Sequence, residues 1–335
     1  MSSRSFSQVD SARWSQPYQG VGLSLSFVQW LALAALADWL IARTLTRLAI
    51  FMPKSPLVVM VYQVLGLVGQ VATSLSGLLG LGVLGWMAWR EWRAGSIWLP
   101  PLLLGLGAAS LVFLVIPPSG WLAIGNYALG LAAAGIILAR VSSMPGNQTR
   151  GNPWTPGVWA VLVPGMAFVA GRLYQAVAAW YTAMRWPGPP FAAGVLFNLG
   201  ELLVVLSAAA WWWAYGRGAS WRMGLGATLP AFVFAAMRLA IPSMTGVLAM
   251  WSTGLTLYLP WPLYVASLWL AGVAVLASLR RGDLAGWAIL LLVAGGYAPQ
   301  LSLQVFLNLI GLWLLASRQP MGLTQKGPPA CGEPL

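Results

Sequence analysis

The sequence predicts an all-α fold, a polytopic integral membrane helix bundle of about ten transmembrane helices. Three observations lead there. Of 335 residues, 59% are hydrophobic and 7% charged, against about 45–50% and about 25% in a soluble domain. Apolar stretches long enough for a hydrocarbon core of about 30 Å recur from residue 25 to residue 316, with no polar domain between them. Pro- and Gly-rich turns and clusters of Arg separate those stretches, as loops between spans do.

Residues 1–24 read as a polar N-terminal tail. Arg4, Asp10, Arg13 and several Ser and Gln leave no apolar signal-peptide region, so the first span is expected to direct insertion itself. Apolar spans follow at 25–42, 57–89, 97–116, 120–139, 157–182, 191–215, 223–241, 244–279, 284–298 and 301–316. Residues 25–317 thus form one membrane domain, and 318–335 a flexible C-terminal tail. As single helices, 57–89 and 244–279 would each reach about 50 Å, which predicts that each is broken or a hairpin. Leu259-Pro260-Trp261-Pro262 marks the break in the second; the first offers only Thr73, Ser74, Ser76 and Gly77. A weak internal match, Pro164 to Leu173 against Pro230 to Leu239, suggests repeated helical hairpins near 157–216 and 223–280.

Charge assigns the sides. Arg90/Arg93, Arg140/Arg150, Arg217/Arg222, Arg280/Arg281 and Arg318/Lys326 belong on one side, the cytoplasmic one by the positive-inside bias. Turns poor in Lys and Arg, such as Pro117 to Gly120 and Pro187 to Pro190, fall on the other. The result is a multi-pass protein of a cell membrane, a prokaryotic inner membrane, with a cytoplasmic C-terminus. One apolar segment is too many for this count, which makes 242–258 a half-helix or re-entrant loop. Arg43, Arg47 and Lys54 place the N-terminus outside only if 57–89 is a hairpin.

The net charge of +12 therefore reads as topology and contact with anionic membrane lipids. Nucleic acid is not expected as a partner, because no soluble element presents a basic face. The chain has no His, and its one Cys, Cys331, lies in the tail. Haem ligation by His, Cys/His zinc sites, and Ser-His-Asp or Cys-His catalysis are excluded; no cofactor or metal is expected. The only lysines, Lys54 and Lys326, lie outside the spans, which excludes a retinal Schiff base. Trp is abundant, at 21 residues, and concentrated at span ends, as an interfacial aromatic belt requires.

Ionisable side chains within hydrocarbon are costly, and they are paired or face a cavity. Arg172, Glu201 and Arg238 lie well inside spans, and Asp38 nearer an interface. Arg172 and Glu201 are on consecutive antiparallel spans at similar depth, so a salt bridge between them is expected, with Arg238 leaving surplus positive charge. Gln175 shares a helix face with Arg172, and Asn198 with Glu201. Gln300, Gln304 and Asn308 form one polar stripe, and Gln63, Gly66, Gln70 and Ser74 another; both are expected to point inward. The bland account is a buried Arg–Glu–Arg cluster that fixes helix register, with stripes that hydrogen-bond between helices.

The functional account takes Arg172, Glu201, Arg238, Gln175, Asn198, Gln304 and Asn308 as a substrate site, with two guanidinium forks suited to phosphate or carboxylate. It gives a transporter or flippase-like protein for a small anionic or amphipathic substrate. The alternative is a non-catalytic anchor or scaffold that packs partner membrane subunits in a larger complex. An intramembrane enzyme ranks third, since a lone acid without a metal is thin support for catalysis, and no catalytic residue is assigned.

Overall fold

The computed structural model describes residues 22–41, 55–115, 120–143, 156–186, 191–216, 229, 260–297 and 301–317. They form nine helices and no strand: α1 (Gly22–Trp39), α2 (Pro56–Arg93), α3 (Leu99–Val115), α4 (Gly120–Ser143), α5 (Pro156–Ala183), α6 (Phe191–Tyr215), α7 (Pro260–Arg280), α8 (Leu284–Tyr297) and α9 (Leu301–Ala316). Three of them, α2, α4 and α5, are long and apolar enough to cross a membrane.

Each helix from α1 to α8 packs on the next, and α8 packs back on α1. The described helices therefore close a ring in chain order. Inside it lies α9, against α2, α3, α4, α5 and α8. From Ser302 to Ala316 every residue of α9 except Gln304 is buried. Close approach to α9 depends on glycine. A Cβ at Gly80 of α2 would run into the Phe306 ring, one at Gly130 of α4 would sit 2.7 Å from Val305 Cγ1, and one at Gly311 would sit 2.9 Å from the Ala288 carbonyl. Small residues at helix contacts are how apolar helices gain dispersion energy where burial from water offers none.

The expectation of a break within 57–89 is overturned: α2 is one unbroken helix of 38 residues, about 57 Å long. Its start is well made, with Ser55 Oγ accepting from Val58 N at 3.3 Å and Pro56 in the first turn. No proline follows, and the Thr73 hydroxyl bonds back to the Gly69 carbonyl at 2.9 Å instead of opening the helix. The helix stops only at Gly95, whose φ of 81° suits a residue without Cβ.

The buried face of α2 begins at Ala72 and runs through Thr73, Ser76, Gly80, Val83, Leu84, Met87, Ala88 and Glu91. Gln63, Gly66, Gln70 and Ser74 are all exposed, so the inward orientation expected for them fails. The cause is reach: Gly69 meets Ile41, just past α1, and the first four turns of α2 continue beyond that contact. In the second long stretch α7 starts at Pro260, where the break was expected. Residues 244–259, the proposed repeat at 230–239 and, apart from Leu229, the span 223–241 lie outside the described residues.

The ends of the helices sort consistently. Arg140 of α4 reaches Glu91 of α2, and Trp313 of α9 reaches the same carboxylate. Arg281 after α7 donates to the Tyr215 carbonyl of α6, and Trp211 of α6 donates to Ala160 near the start of α5. One end of the ring thus gathers Arg90, Arg93, Arg140, Arg280 and Arg281 as the charge pattern requires; we call it the basic end. Because α2 is unbroken, α1 starts at the basic end and finishes at the far end. Exposed Trp89, Trp92, Trp98 and Trp213 lie toward the basic end, exposed Trp121, Trp180 and Trp186 toward the far end, and exposed Trp30 and Trp269 between them. From Trp121 to Arg140 along α4 is about 29 Å at 1.5 Å per residue.

One hydrogen bond shows how the apolar ring repairs its own backbone. Pro164 stands inside α5; without an N–H it leaves the carbonyl four residues earlier, that of Ala160, without its helical donor. The Trp211 indole N–H of α6 donates to that carbonyl at 3.0 Å, fully buried. Replacing Trp211 by Phe is expected to cost about 1–3 kcal/mol for the unsatisfied carbonyl, read as chemical denaturation in detergent. In a Pro164→Ala background, where the helix supplies its own donor, the same replacement costs much less.

Candidate functional site

The interior polar site is built on α5, α4 and α9. Arg172 is 6% exposed. Its Nη1 donates to Gln175 Oε1 at 2.5 Å, one turn along α5, and to Gln304 Oε1 of α9 at 3.0 Å. The guanidinium lies 5.3 Å from the centre of the Phe168 ring, and Tyr127 of α4 is close enough to interact with it electrostatically. Both hydrogens of Nη1 are thus used by neutral amide oxygens. Nε is buried and has no hydrogen-bond partner, and no described side chain bonds Nη2. Nε and Nη2 form the edge of the guanidinium that takes a carboxylate or phosphate through two parallel hydrogen bonds.

Asn126 adds a second unsatisfied group beside Tyr127. It is 1% exposed, and neither its Oδ1 nor its Nδ2 has a partner. It sits one turn before Gly130 on α4, the turn that carries Val305 and Phe168, so it shares a level with Arg172 and Gln304. A buried amide with both ends empty is costly. In the sequence Asn126 carries neither charge nor a place in a polar stripe, and its one signal is that it is an amide within an apolar span.

Of the sequence-expected residues, Arg172, Gln175 and Gln304 meet directly. Asn308 lies on the same helix, but its Nδ2 donates to the Gln304 backbone carbonyl at 2.7 Å, and it packs against Gly295 of α8. It shapes the helix that presents Gln304. The side chains of Glu201 and Asn198 lie outside the described residues, as do Arg238 and Gln300. The backbone does bring position 201 beside 172: an added Cβ at Gly200 would lie 3.5 Å from the Gly171 nitrogen, so α5 and α6 touch at the residues adjoining Arg172 and Glu201.

A second charged cluster closes the basic end. Glu91, 3% exposed, accepts from Arg140 Nη1 at 2.6 Å and from the Trp313 indole at 2.7 Å. Arg140 Nη2 also donates to Ser96 Oγ at 2.6 Å, in the turn that Gly95 permits. Arg90 lies 5.2 Å over the Trp313 ring and 5.6 Å from that of Trp86. In the sequence Glu91 reads only as a span-end residue among Trp and Arg. Along α9, Gln304 is nine residues before Trp313, so the Arg172 site lies about 14 Å inward of this cluster. Among the described residues no group of His, Cys, Asp or Glu could hold a metal.

Compared with protein-family models, with curated proteins and with solved structures, the chain matches none. The functional argument therefore stands on the geometry of the site.

The two members of the Glu91 pair differ in exposure, with side chains 4% and 34% exposed. Removing Arg140 strands a buried carboxylate, whereas removing Glu91 leaves a guanidinium that water can reach. Arg140→Ala is accordingly expected to destabilise by about 3 kcal/mol or more and Glu91→Gln by clearly less, measured as paired unfolding curves in the same detergent.

Proposed function

We propose that this protein is a multi-pass membrane transporter or flippase-like protein that binds a small anionic or amphipathic substrate at Arg172. The observation that carries the reading is the buried Nε of Arg172, a residue 6% exposed, which has no hydrogen-bond partner. A structural arginine in an apolar interior would be expected to spend its hydrogens on fixed partners, because an unmet buried donor costs about 1–3 kcal/mol. Here the neutral oxygens of Gln175 and Gln304 hold Nη1 and aim the remaining edge, while no described carboxylate neutralises the charge. An anionic oxygen pair would satisfy both deficits. Asn126 offers one donor and one acceptor to the same ligand's polar head, and Glu201 and Arg238, with Asn198, are proposed to complete the site. Binding and release would follow if Glu201 and the substrate compete for the arginine.

The membrane setting has two supports: the spans of α2, α4 and α5, and the length of α4 from Trp121 to Arg140, about 29 Å, which suits a hydrocarbon core of about 30 Å. The proposed topology has about ten spans, with the basic end, the N-terminal tail and the C-terminus cytoplasmic by the positive-inside bias.

The scaffold reading is favoured by one observation, the exposed first four turns of α2. Leu57, Met60, Val64, Leu67 and Val71 there are between 51% and 72% exposed, and such a helix suits a partner subunit.

The readings separate by ligand response. Protein in nanodiscs is titrated with palmitate, dodecyl phosphate and dodecyltrimethylammonium while thermal unfolding is followed. The transport reading expects the anionic amphiphiles to raise Tm, the cationic one to have no such effect, and Arg172→Gln to abolish the response while remaining folded. Arg172→Lys, which keeps charge without the fork, should weaken binding about tenfold or more, in line with about 1.5–3 kcal/mol for a hydrogen bond to a charged group. An equal response in wild type and Arg172→Gln would overturn the substrate site and turn attention to partner subunits.

A further inference from the structure

Asp38 is a buried carboxyl that neither the Arg172 site nor the Glu91 cluster uses. It lies at the end of α1 and is 1% exposed. Its hydrogen-bond partner is Thr73 of α2, with Thr73 Oγ1 and Asp38 Oδ1 2.6 Å apart. Thr73 Oγ1 is also 2.9 Å from the Gly69 carbonyl. A hydroxyl has one hydrogen, and here it faces two acceptors.

If Asp38 is ionised, Thr73 serves either the carboxylate or the carbonyl and leaves the other short. Among the described residues the carboxylate is then buried with at most one neutral donor and no positive neighbour, an arrangement that burial strongly disfavours. If Asp38 carries a proton, the count closes: the carboxyl O–H donates to Thr73 Oγ1, and the Thr73 O–H donates to the Gly69 carbonyl. Glu91 in the same chain shows the contrasting solution, an acid held by the Arg140 guanidinium and the Trp313 indole.

Among the described residues of the helices packed around Asp38, none supplies a countercharge. On α1 Asp38 is the sole ionisable residue. On α2 the described charged groups, Arg90, Glu91 and Arg93, are at the other end, with Glu91 about 27 Å along the helix from Thr73, and Tyr62 is eleven residues from Thr73 in the opposite direction. On α8, which also packs on α1, the only titratable side chain is that of Tyr297, and Asp283 precedes that helix at the basic end.

We propose that Asp38 is a reversible proton-binding site, with Thr73 as the hydrogen-bond partner of its protonated form, exchanging with the face of the bundle opposite the Glu91–Arg140 pair. Its level assigns the face: Thr73 stands near the far Trp girdle, and α1 ends one residue after Asp38. The step is a protonation alone. A proton from water at that face joins the carboxylate as its O–H and returns by the same route, with no change of oxidation state. The site stands on its own geometry and does not depend on the Arg172 reading.

The test uses full-length protein in phosphatidylcholine nanodiscs treated with dicyclohexylcarbodiimide, which attacks protonated carboxyls in apolar surroundings, followed by peptide mapping. Label is expected on Asp38 at acidic pH and lost as pH rises, with Glu91 unlabelled throughout. Asp38→Asn, which mimics the protonated acid in size and hydrogen bonding, should lose the label and keep the wild-type Tm. Thr73→Val should keep the label but shift the pH at which it disappears. Infrared difference spectra between wild type and Asp38→Asn should show a protonated-carboxyl C=O band that vanishes reversibly as pH is raised. Absence of that band at every pH would overturn the proposal. So would labelling that ignores pH and is blocked by sodium chloride, because the occupant would then be a metal cation.

Discussion

Enclosing α9 is the constraint from which the rest of the bundle follows. A helix buried from Ser302 to Ala316, save for Gln304, has no face for solvent or lipid, so each of its side chains needs a partner from the surrounding ring. Leucine, valine and phenylalanine meet that demand by packing. The glycines at 80, 130 and 311 supply the room where backbones come closest. Trp313 and Gln304 are the places where α9 makes polar contact with the ring, at Glu91 and Arg172. They also fix the helix against sliding and rotation, since an apolar surface alone specifies neither.

The chain stations charge sparingly, and each buried case is met by different chemistry. Glu91 is matched with Arg140, the conventional ion pair, at an end where Arg140 keeps contact with solvent. Arg172 is matched with amide oxygens, which orient it without cancelling its charge. Asp38 is matched with a hydroxyl, which orients it and offers no charge at all. Among the described residues only the first of the three groups has a counter-ion. That division separates architecture from candidate function without reference to any related protein.

Much of this was legible in the sequence. Spans such as 191–215 and 301–316 are read directly because apolar length and Pro-rich punctuation are local properties. The gathering of Arg90, Arg140 and Arg281 at one end follows from charge placement. Gln175 and Gln304 could be named beside Arg172 because polar residues in apolar spans seek one another. Three features depended on non-local facts. The continuity of α2 could not be judged from length, since nothing in 57–89 except a missing proline argues for it. The outward stripe of Gln63 and Gln70 depended on where α1 ends. That α9 is central while α2 is peripheral is invisible to hydropathy, which scores an apolar residue alike against lipid and against protein.

Because the ring runs in chain order while its occupant comes last among the described helices, assembly has a fixed sequence. A ribosome delivers α1 to α8 before α9 exists, so during synthesis the barrel of helices either stays open or closes on an empty centre. The α8–α9 hairpin resolves this if its two short arms arrive together, α8 filling the seam between α7 and α1 as α9 enters the lumen. The last step of biogenesis would then be a keystone insertion, and before it Arg172 and Glu91 would lack the side chains of α9 that hold them.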